Sequence, residues 1–221
     1  MTGGNKILYG KNVPLATPTT SPASSVVGVR EAQRLQTRAR VFDAAVAAIG
    51  QSGLAGADVA AIAAAAGVAR GTFYFHFPTK EHVLVELERA EELTIVAMLD
   101  TGTTQPDDLM SMLTLLVRQV VAAELRLGPV VFRDMLGLHF SATRPVEDEL
   151  GEHPLADFVI AAIGEAQTAG RVARDADAGE LAVIFLTGLF ALLATGVVAS
   201  PARNALLDRY VATIVRGMEE R

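Results

Sequence analysis

Five positions between residues 70 and 80 offer the groups that bind nucleic acids. Arg70 carries a guanidinium fork that can grip O6 and N7 of one guanine together. Gly71 leaves room for a backbone to approach a ligand closely, and Thr72 and Tyr74 can donate to phosphates or meet a thymine methyl group. Lys80 is unfavourable beside the positive end of a helix, unless a phosphate binds to it and to the free amides there. These groups act together only if one element presents them.

Residues 59–80 predict two short helices joined by a glycine turn. Asp58 can cap the alanine-rich first helix by accepting from its unpaired amides. Gly67 can end it, because glycine enters the left-handed conformation without a steric penalty. Only three residue steps separate Gly67 from Arg70, so the turn is sharp, and Pro78 must end the second helix. This layout is typical of a helix-turn-helix, whose second helix lies in the major groove of DNA.

Residues 30–52 predict the helix that packs against this pair, with Gly53 as its end. Its apolar positions recur at helical spacing and predict one buried face, formed by Leu35, Ala39, Phe42, Val46 and Ile49. Arg34, Arg38 and Arg40 lie in its first half. Phosphate contact beside the groove and an ordinary solvated face explain these arginines equally well.

Phe73 and Phe77 are four residues apart on the second helix and are predicted to face the core. The run GVARGTFYFHFPTKEHVL, residues 67–84, closely resembles the DNA-binding signature of TetR-family transcriptional regulators, and the resemblance covers about residues 34–87. The family commonly has Ser or Thr where this chain has Ala69, at the cap of the reading helix. Losing that cap costs about 1 kcal/mol and predicts a less rigid reading helix.

The resemblance implies DNA contacts on and just after the second helix, including His76, for which the residue type alone would favour a structural role. With Arg38 added from the preceding helix, the predicted DNA-binding residues are Arg38, Arg70, Gly71, Thr72, Tyr74, His76 and Lys80. The resemblance also implies a small-molecule inducer and a homodimer formed by the last two helices. We therefore expect a regulator, a repressor or alternatively an activator, that an effector releases from a pseudo-palindromic site.

Charge is distributed unevenly along the chain. Residues 1–80 hold eight Lys or Arg against three acidic residues, whereas residues 81–221 hold eleven against twenty-two. A basic head can face a polyanion even though the net charge is −6. The chain has no cysteine, which excludes disulfides, thiolate catalysis and cysteine-ligated metals and fits a cytoplasmic location.

The fold predicted is all-α, in three segments. Residues 1–29 carry Pro, Ser, Thr and Gly without apolar periodicity and predict a flexible arm, with no signal-peptide pattern. Lys6 and Lys11 could contact phosphates there, although a solvated tail is favoured. Residues 30–80 are the predicted helix-turn-helix DNA-binding domain of three helices, and residues 81–221 a larger helical domain for ligand binding and dimerisation.

The larger domain reads as helices over residues 79–99, 109–127, 130–140, 155–169 and 204–219, with a loop at 101–106. Apolar side chains on its middle and late helices predict the ligand site, although packing is the alternative for each: Phe132, Met135, Leu136, Phe140, Phe158 and Phe185. Pockets between bundled helices are common ligand sites. Because few charges lie on these segments, we expect an apolar effector, acyl or aromatic, with Arg118, Arg133 or His139 at any polar end.

Residues 181–202 contain no charge over 22 positions, which is long enough to span a bilayer. Thr, Ser, Gly and Pro within the run, and flanks without a basic cluster or Trp, favour a helix buried on all sides within the protein. The alternative to a regulator is a helical small-molecule-binding or membrane-associated protein with a vestigial DNA-binding head.

Motifs for other chemistry were not found in the sequence. It has no phosphate-binding glycine loop, nucleophile elbow or His-Glu-x-x-His pair, so we predict neither an enzyme nor a cofactor. Glu149 and His153 could share a helix face, but two ligands are too few for a metal site and a surface pair is favoured.

Overall fold

The computed structural model describes residues 22–100, 108–145, 153–196, 198 and 200–219, with side chains from residue 28 onward. Over these ranges the chain is helical and contains no strand, as the all-α prediction required. The helices are α1 (Pro22–Gly56), α2 (Val59–Ala65), α3 (Arg70–His76), α4 (Lys80–Asp100), α5 (Leu109–Leu127), α6 (Pro129–Gly137), α7 (Pro154–Thr168), α8 (Ala178–Thr195) and α9 (Pro201–Glu219), and a 3₁₀ turn (Leu138–Phe140) follows α6. The chain divides into two compact units, residues 1–37 and residues 38–221.

The first unit contains the beginning of α1. This helix starts at Pro22, whereas the sequence predicted a start at Arg30, so residues 22–29 are helical and do not belong to a flexible arm. Proline is compatible with a first helical turn because its missing amide would be unpaired there in any case. Lys6 and Lys11 lie outside the described residues, and the predicted arm over residues 1–21 stays a prediction.

The second unit includes the rest of α1, whose buried face differs from the predicted one. Val41, Ala45 and Ile49 are fully buried in the core. Of the predicted face, Ile49 alone is buried; Phe42 and Val46 are half-buried, and Leu35 and Ala39 are exposed. Two neighbouring apolar stripes run along this helix, and periodicity alone cannot choose between them. The packing partners make the choice: the Phe42 ring reaches only the edge of the core, 6.2 Å from the Phe77 centroid.

The later helices pack around α4 and α8. Helix α7 lies against α4 and α8, α6 against α4, α5 and α8, and α9 against α5 and α8. One hydrophobic cluster continues from α1 to α9 through these contacts, so the helix-turn-helix and the body share a core. The domain boundary at residue 80 remains a prediction, because α4 contributes buried Val83 and Leu84 near its start and Ile95 and Leu99 near its end.

The uncharged run 181–202 is not one helix. Helix α8 ends at Thr195 and α9 begins at Pro201. Helix α8 is long and apolar enough to cross a membrane, but the core helices of soluble proteins meet the same criteria of length and composition. It is not buried on all sides in the single chain: Val183 and Ile184 are 63% and 56% exposed. This face of α8 is therefore available for a partner.

Tyr210 of α9 lies close against α8. Its hydroxyl donates to the carbonyl of Phe185 at 2.6 Å, and its ring stacks on the Phe185 ring with centroids 5.8 Å apart. Gly188 permits this approach, because a Cβ there would lie only 2.3 Å from the Tyr210 hydroxyl. Burial raises the pKa of Tyr210 from 10.0 to about 12.

This raised pKa predicts a loss of stability in alkali. The folded protein holds the Tyr210 proton more tightly than the unfolded chain, so the associated stability is complete below about pH 10 and falls as the pH approaches about 12. Urea unfolding of the wild type and of Tyr210→Phe should show that the substitution removes this component of the alkaline loss. An identical decline in both proteins above pH 10 would contradict the prediction.

Candidate nucleic-acid interface and body cavity

The turn between α2 and α3 forms for local reasons. Asp58 caps α2 as predicted, its Oδ1 accepting from the Ala61 amide at 2.8 Å. Gly67 follows α2 in the left-handed conformation at φ 66°, where a Cβ would be strained. Ala69 offers α3 no side-chain cap, as the sequence indicated. Helix α3 then ends at His76, before Pro78.

Helix α3 is held in place by its aromatic face. Phe73 and Phe77 are 0% and 1% exposed, which confirms the prediction that both face the core. Their centroids lie 6.1 Å apart, and the Tyr74 ring meets Phe73 edge to face at 5.4 Å. This anchor fixes the rotation of α3, and hence the side chains that it turns to solvent.

The opposite face of α3 brings the predicted reading residues together. Arg70, Gly71 and Tyr74 are exposed, and Thr72 and His76 are half-buried. The Arg70 guanidinium donates to the Tyr74 hydroxyl at 3.4 Å and lies 5.7 Å from the centre of its ring. The hydrogen bond to Tyr74 raises the pKa of Arg70, and an arginine is positively charged at neutral pH in any case. Helix α3 thus presents a cation and hydroxyl donors together.

Sequence reasoning missed Phe75 on the same helix. This side chain is 71% exposed, and its ring lies 5.0 Å from the His76 ring. An exposed phenylalanine is costly to leave in water, and apolar contact with a thymine methyl group is one way to cover it. The helical spacing of the sequence could have predicted this exposure. Phe75 lies midway between the core-facing Phe73 and Phe77, so it points away from the core on a helix.

The structure gives Lys80 a structural role. Its ammonium donates to the carbonyls of Leu54 and Ala57, both at 2.7 Å, and so closes the end of α1. A lysine there resolves the unfavourable position in α4 by compensating the carbonyl end of another helix. The carbonyl of Ala55 lies 3.5 Å from the same ammonium, so its three donors all face carbonyls at this end of α1. The phosphate contact of Lys80 stays a prediction.

Arg38 also has a partner within the chain. Its guanidinium forms a two-pronged ion pair with Glu86 of α4 and lies over the Phe77 ring, 4.5 Å from the centroid. The carboxylate neutralises much of the charge that the sequence assigned to DNA binding. Arg40 is more exposed, and its Nη1 comes within 4.0 Å of where a Gly67 Cβ would be. Arg40 is therefore the α1 arginine that lies nearer the turn.

The body contains a cavity of about 340 Å³, which falls in the size range of small-molecule sites. It is lined by residues of α4, the 3₁₀ turn, the start of α7 and α8: Glu92, His139, Phe140, His153, Ala156, Val183, Leu186, Thr187 and Phe190. Phe190 and Glu92 also line a deeper cavity of about 20 Å³, which is large enough for only about one water molecule.

Four of the six predicted ligand residues line one of these two cavities. Phe140 lines the larger one and is 53% exposed, while Phe132, Met135 and Leu136 line the smaller one and are buried. The remaining two line neither. Phe158 is half-buried, and Phe185 is fully buried against Tyr210. Their assignment to a ligand site stays a prediction that these cavities do not support.

Two buried carboxylates of α4 lie at the cavities, Glu92 at both and Glu88 at the smaller one, and the sequence did not predict their burial. Glu88 and Glu92 of α4 are 6% and 8% exposed, and His139 pairs with the Glu88 carboxylate. Arg144 reaches the same carboxylate at 3.1 Å. The larger cavity itself is lined by one carboxylate, Glu92, and two histidines, so the expectation of few charges around the ligand site stays a prediction. Because Glu88 and Glu92 are four residues apart on α4, the sequence could predict that they share a helix face, but it could not predict that this face is buried.

The other predicted polar groups lie elsewhere. Arg118 and Arg133 are exposed, and Arg118 lines a separate cleft between α5 and α9. Glu149 is outside the described residues, so its pairing with His153 stays a prediction. Within the part of the chain that the structure describes, no group of three His, Asp or Glu side chains could hold a metal ion.

Helix α6 links the body to the head. The Asp134 carboxylate accepts from the amide of Leu54 at 2.6 Å. This amide is free because Gly53, at φ 72° and ψ 165°, interrupts α1 as predicted. Val131 approaches α1 as well, within 3.5 Å of where a Gly50 Cβ would be. Helix α6, which lines the smaller cavity, thus contacts the same end of α1 that Lys80 binds.

Comparisons with known proteins agree with this geometry. Residues 41–87 match the family model described as bacterial regulatory proteins, tetR family. The HTH-type transcriptional repressor KstR of Mycolicibacterium smegmatis is 41% identical over 78 residues, which cover 33% of this chain and 38% of that protein. The chain therefore spans well under half the length of this curated relative.

Solved structures resemble the chain over most of its length. RolR in complex with resorcinol has a TM-score of 0.64 at 20% identity, covering 85% of this chain and 90% of that one. Thermus thermophilus FadR, a tetR-family repressor in complex with lauroyl-CoA, has a TM-score of 0.64 at 21% identity, covering 83% and 96%. At these identities the likeness establishes the shared fold.

Proposed function

We propose that this chain, which belongs to the tetR family of bacterial regulatory proteins through its DNA-binding domain, is a ligand-responsive repressor of transcription. One observation carries the proposal: α3 is anchored by buried aromatic rings and turns Arg70 and Tyr74 to solvent at a helix-turn-helix. We place the protein in the cytoplasm, where its DNA would be.

The reading step follows from the exposed face of α3. When α3 enters the major groove, Arg70 at its first turn reaches base edges, and Thr72, Tyr74 and His76 meet phosphates or thymine methyls. The Arg70 guanidinium already lies over the Tyr74 ring in the free protein. Arg70 therefore loses less conformational entropy when it binds DNA. Gly71 lies in open space, so the backbone of α3 can approach the duplex.

Arg70→Ala is expected to lower the preference for a specific site over unrelated DNA by about 5- to 150-fold, the equivalent of one bidentate base contact. Fragments selected from sheared genomic DNA with the wild-type protein would serve as the specific site in a retardation assay. Arg118→Ala is a matched control, because Arg118 is exposed on α5 in the body.

Binding should also weaken steeply as salt rises, because phosphate neutralisation releases counterions. Equal discrimination by Arg70→Ala and Arg118→Ala would contradict the assignment of Arg70 to base reading. If the soluble wild-type protein retards no genomic fragment at low salt, the regulator itself is refuted.

A homodimer would present two reading helices to two half-sites. Ile184 of α8 and Leu206 of α9 are exposed apolar side chains on the last two helices, at 56% and 42%; Val183 of α8 is also exposed but lines the larger cavity. Two copies of α8 and α9 packed as a four-helix bundle would cover Ile184 and Leu206. Such a dimer matches a pseudo-palindromic operator, whose half-sites lie about one helical turn apart.

Release by an effector requires a connection between cavity and head. Helix α4 carries Glu88 and Glu92 at the cavities and Glu86 beside Arg38, and α6 carries Met135 beside Asp134. A ligand that binds one spacing of the heads more tightly than another shifts the population toward that spacing. Displacement of α4 or α6 by the ligand would change the position of α3 through these contacts.

A further inference from the structure

The larger body cavity has the lining of a specific binding site. Most of its wall is apolar or aromatic, with Phe140, Phe190, Leu186 and Val183. Its polar groups converge from separate elements: Glu92 from α4, His139 from the 3₁₀ turn, His153 from the residue before α7 and Thr187 from α8. An apolar pocket with a few convergent polar groups is the usual form of a small-molecule site.

Glu92 is the charged group in this wall. It is 8% exposed, and its Oε2 accepts from the amide of Leu155 at 3.3 Å, at the start of α7. A carboxylate has about four acceptor positions. Its contacts within the chain are therefore compatible with a further hydrogen bond from a molecule in the cavity.

The cavity disfavours an anion. Among the described residues that line it, none is Lys or Arg. His139 is engaged by the Glu88 carboxylate, and Arg144 contacts the other oxygen of the same carboxylate. An anionic end group would leave water to lie beside the Glu92 carboxylate, and like charges brought close in a buried site repel.

We propose that this cavity binds a small effector with an apolar or aromatic body through a hydrogen-bond-donating end, a hydroxyl or a protonated amine, held by Glu92. The inference rests on the proposed function, since it names the class of effector that would release DNA. It replaces the sequence-based expectation of Arg118, Arg133 or His139 at the polar end.

Three probes with one aromatic body separate the end groups: 3-phenylpropan-1-ol, 3-phenylpropylamine and 3-phenylpropanoate. Binding to the full chain is measured from the rise in thermal midpoint across a ligand titration near pH 7. The alcohol or the amine should bind at least about tenfold more tightly than the carboxylate, the effect of one hydrogen bond to a charged group.

Two variants place the effect at Glu92. Glu92→Gln keeps a hydrogen-bond acceptor but removes the charge. It should therefore weaken binding of the amine and change binding of the alcohol little, which distinguishes an amine donor from a hydroxyl donor. Glu165→Gln, exposed on α7, is the matched control and should bind all three probes as the wild type does. Ala156→Phe places a large side chain in the cavity and should abolish binding of every probe. This variant tests the site independently, should Glu92→Gln fail to fold.

The proposal is overturned if the carboxylate binds as tightly as the other two probes, if none raises the thermal midpoint, or if Ala156→Phe binds them normally. DNA retardation without any probe is measured in parallel. Retained DNA binding with a failed probe order refutes the effector class alone. If the protein retards no DNA but binds the probes in the expected order, the proposed regulatory function is refuted and the proposed specificity of the cavity is retained.

Discussion

Arg203→Met is expected to lower the free energy of unfolding by about 3–5 kcal/mol, the cost of leaving one member of a buried ion pair unpaired. Arg203 of α9 is 6% exposed and Glu124 of α5 is 3% exposed, and Nη1 and Oε2 lie 2.7 Å apart. A domain is stable by only about 5–15 kcal/mol, so the loss is a large part of the total. Urea unfolding followed by circular dichroism measures it.

The double variant Glu124→Leu/Arg203→Met is the control for this prediction. With both charges replaced by apolar groups of similar size, no buried charge remains unpaired, and most of the lost stability should return. If the double variant loses as much free energy of unfolding as Arg203→Met and Glu124→Leu lose in sum, the pair does not act as a coupled unit and the prediction fails.

Phe73→Ala is expected to cost about 3–5 kcal/mol and to abolish DNA retardation. Phe73 is 0% exposed and meets the rings of both Tyr74 and Phe77, so its removal leaves a cavity beneath α3. Helix α3 has seven residues and no side-chain cap, so it has little other support. Unfolding measurements and retardation of a selected fragment would report the two effects.

Phe75→Ala is the matched control for folding, because it removes the same side chain from the same helix at a position that is 71% exposed. Its free energy of unfolding should stay within about 0.5 kcal/mol of the wild type. If Phe75→Ala destabilises the protein as much as Phe73→Ala does, the assigned rotation of α3 is wrong.

The helix-turn-helix was predictable because its causes are local. Asp58 caps α2, Gly67 takes the left-handed turn and Pro78 follows α3, and each acts over only a few residues. The core-facing pair Phe73 and Phe77 follows from helical spacing alone. The same stretch matches the model of a known family over residues 41–87.

Side-chain partners far apart in sequence were not predictable in this way. Lys80 binds carbonyls near the end of α1, and Arg38 binds Glu86 on α4. A basic residue in a predicted DNA-binding segment has the same residue type whether it faces DNA or a carboxylate, so composition overestimates the free positive charge. The wrong stripe chosen on α1 has a similar origin, because only the packed partners distinguish Val41 from Leu35.

The sequence by itself determined the helical fold, the turn that sets α3 and the donor groups along it, because capping, glycine conformation and apolar spacing act between near neighbours. The tertiary structure alone decided which charges are buried: Glu88 and Glu92 beside the cavity, and Glu124 opposite Arg203. Burial depends on what a distant part of the chain places over a residue. From sequence alone, a carboxylate on a helix is therefore predicted to be solvated, and only the tertiary structure shows that it is buried.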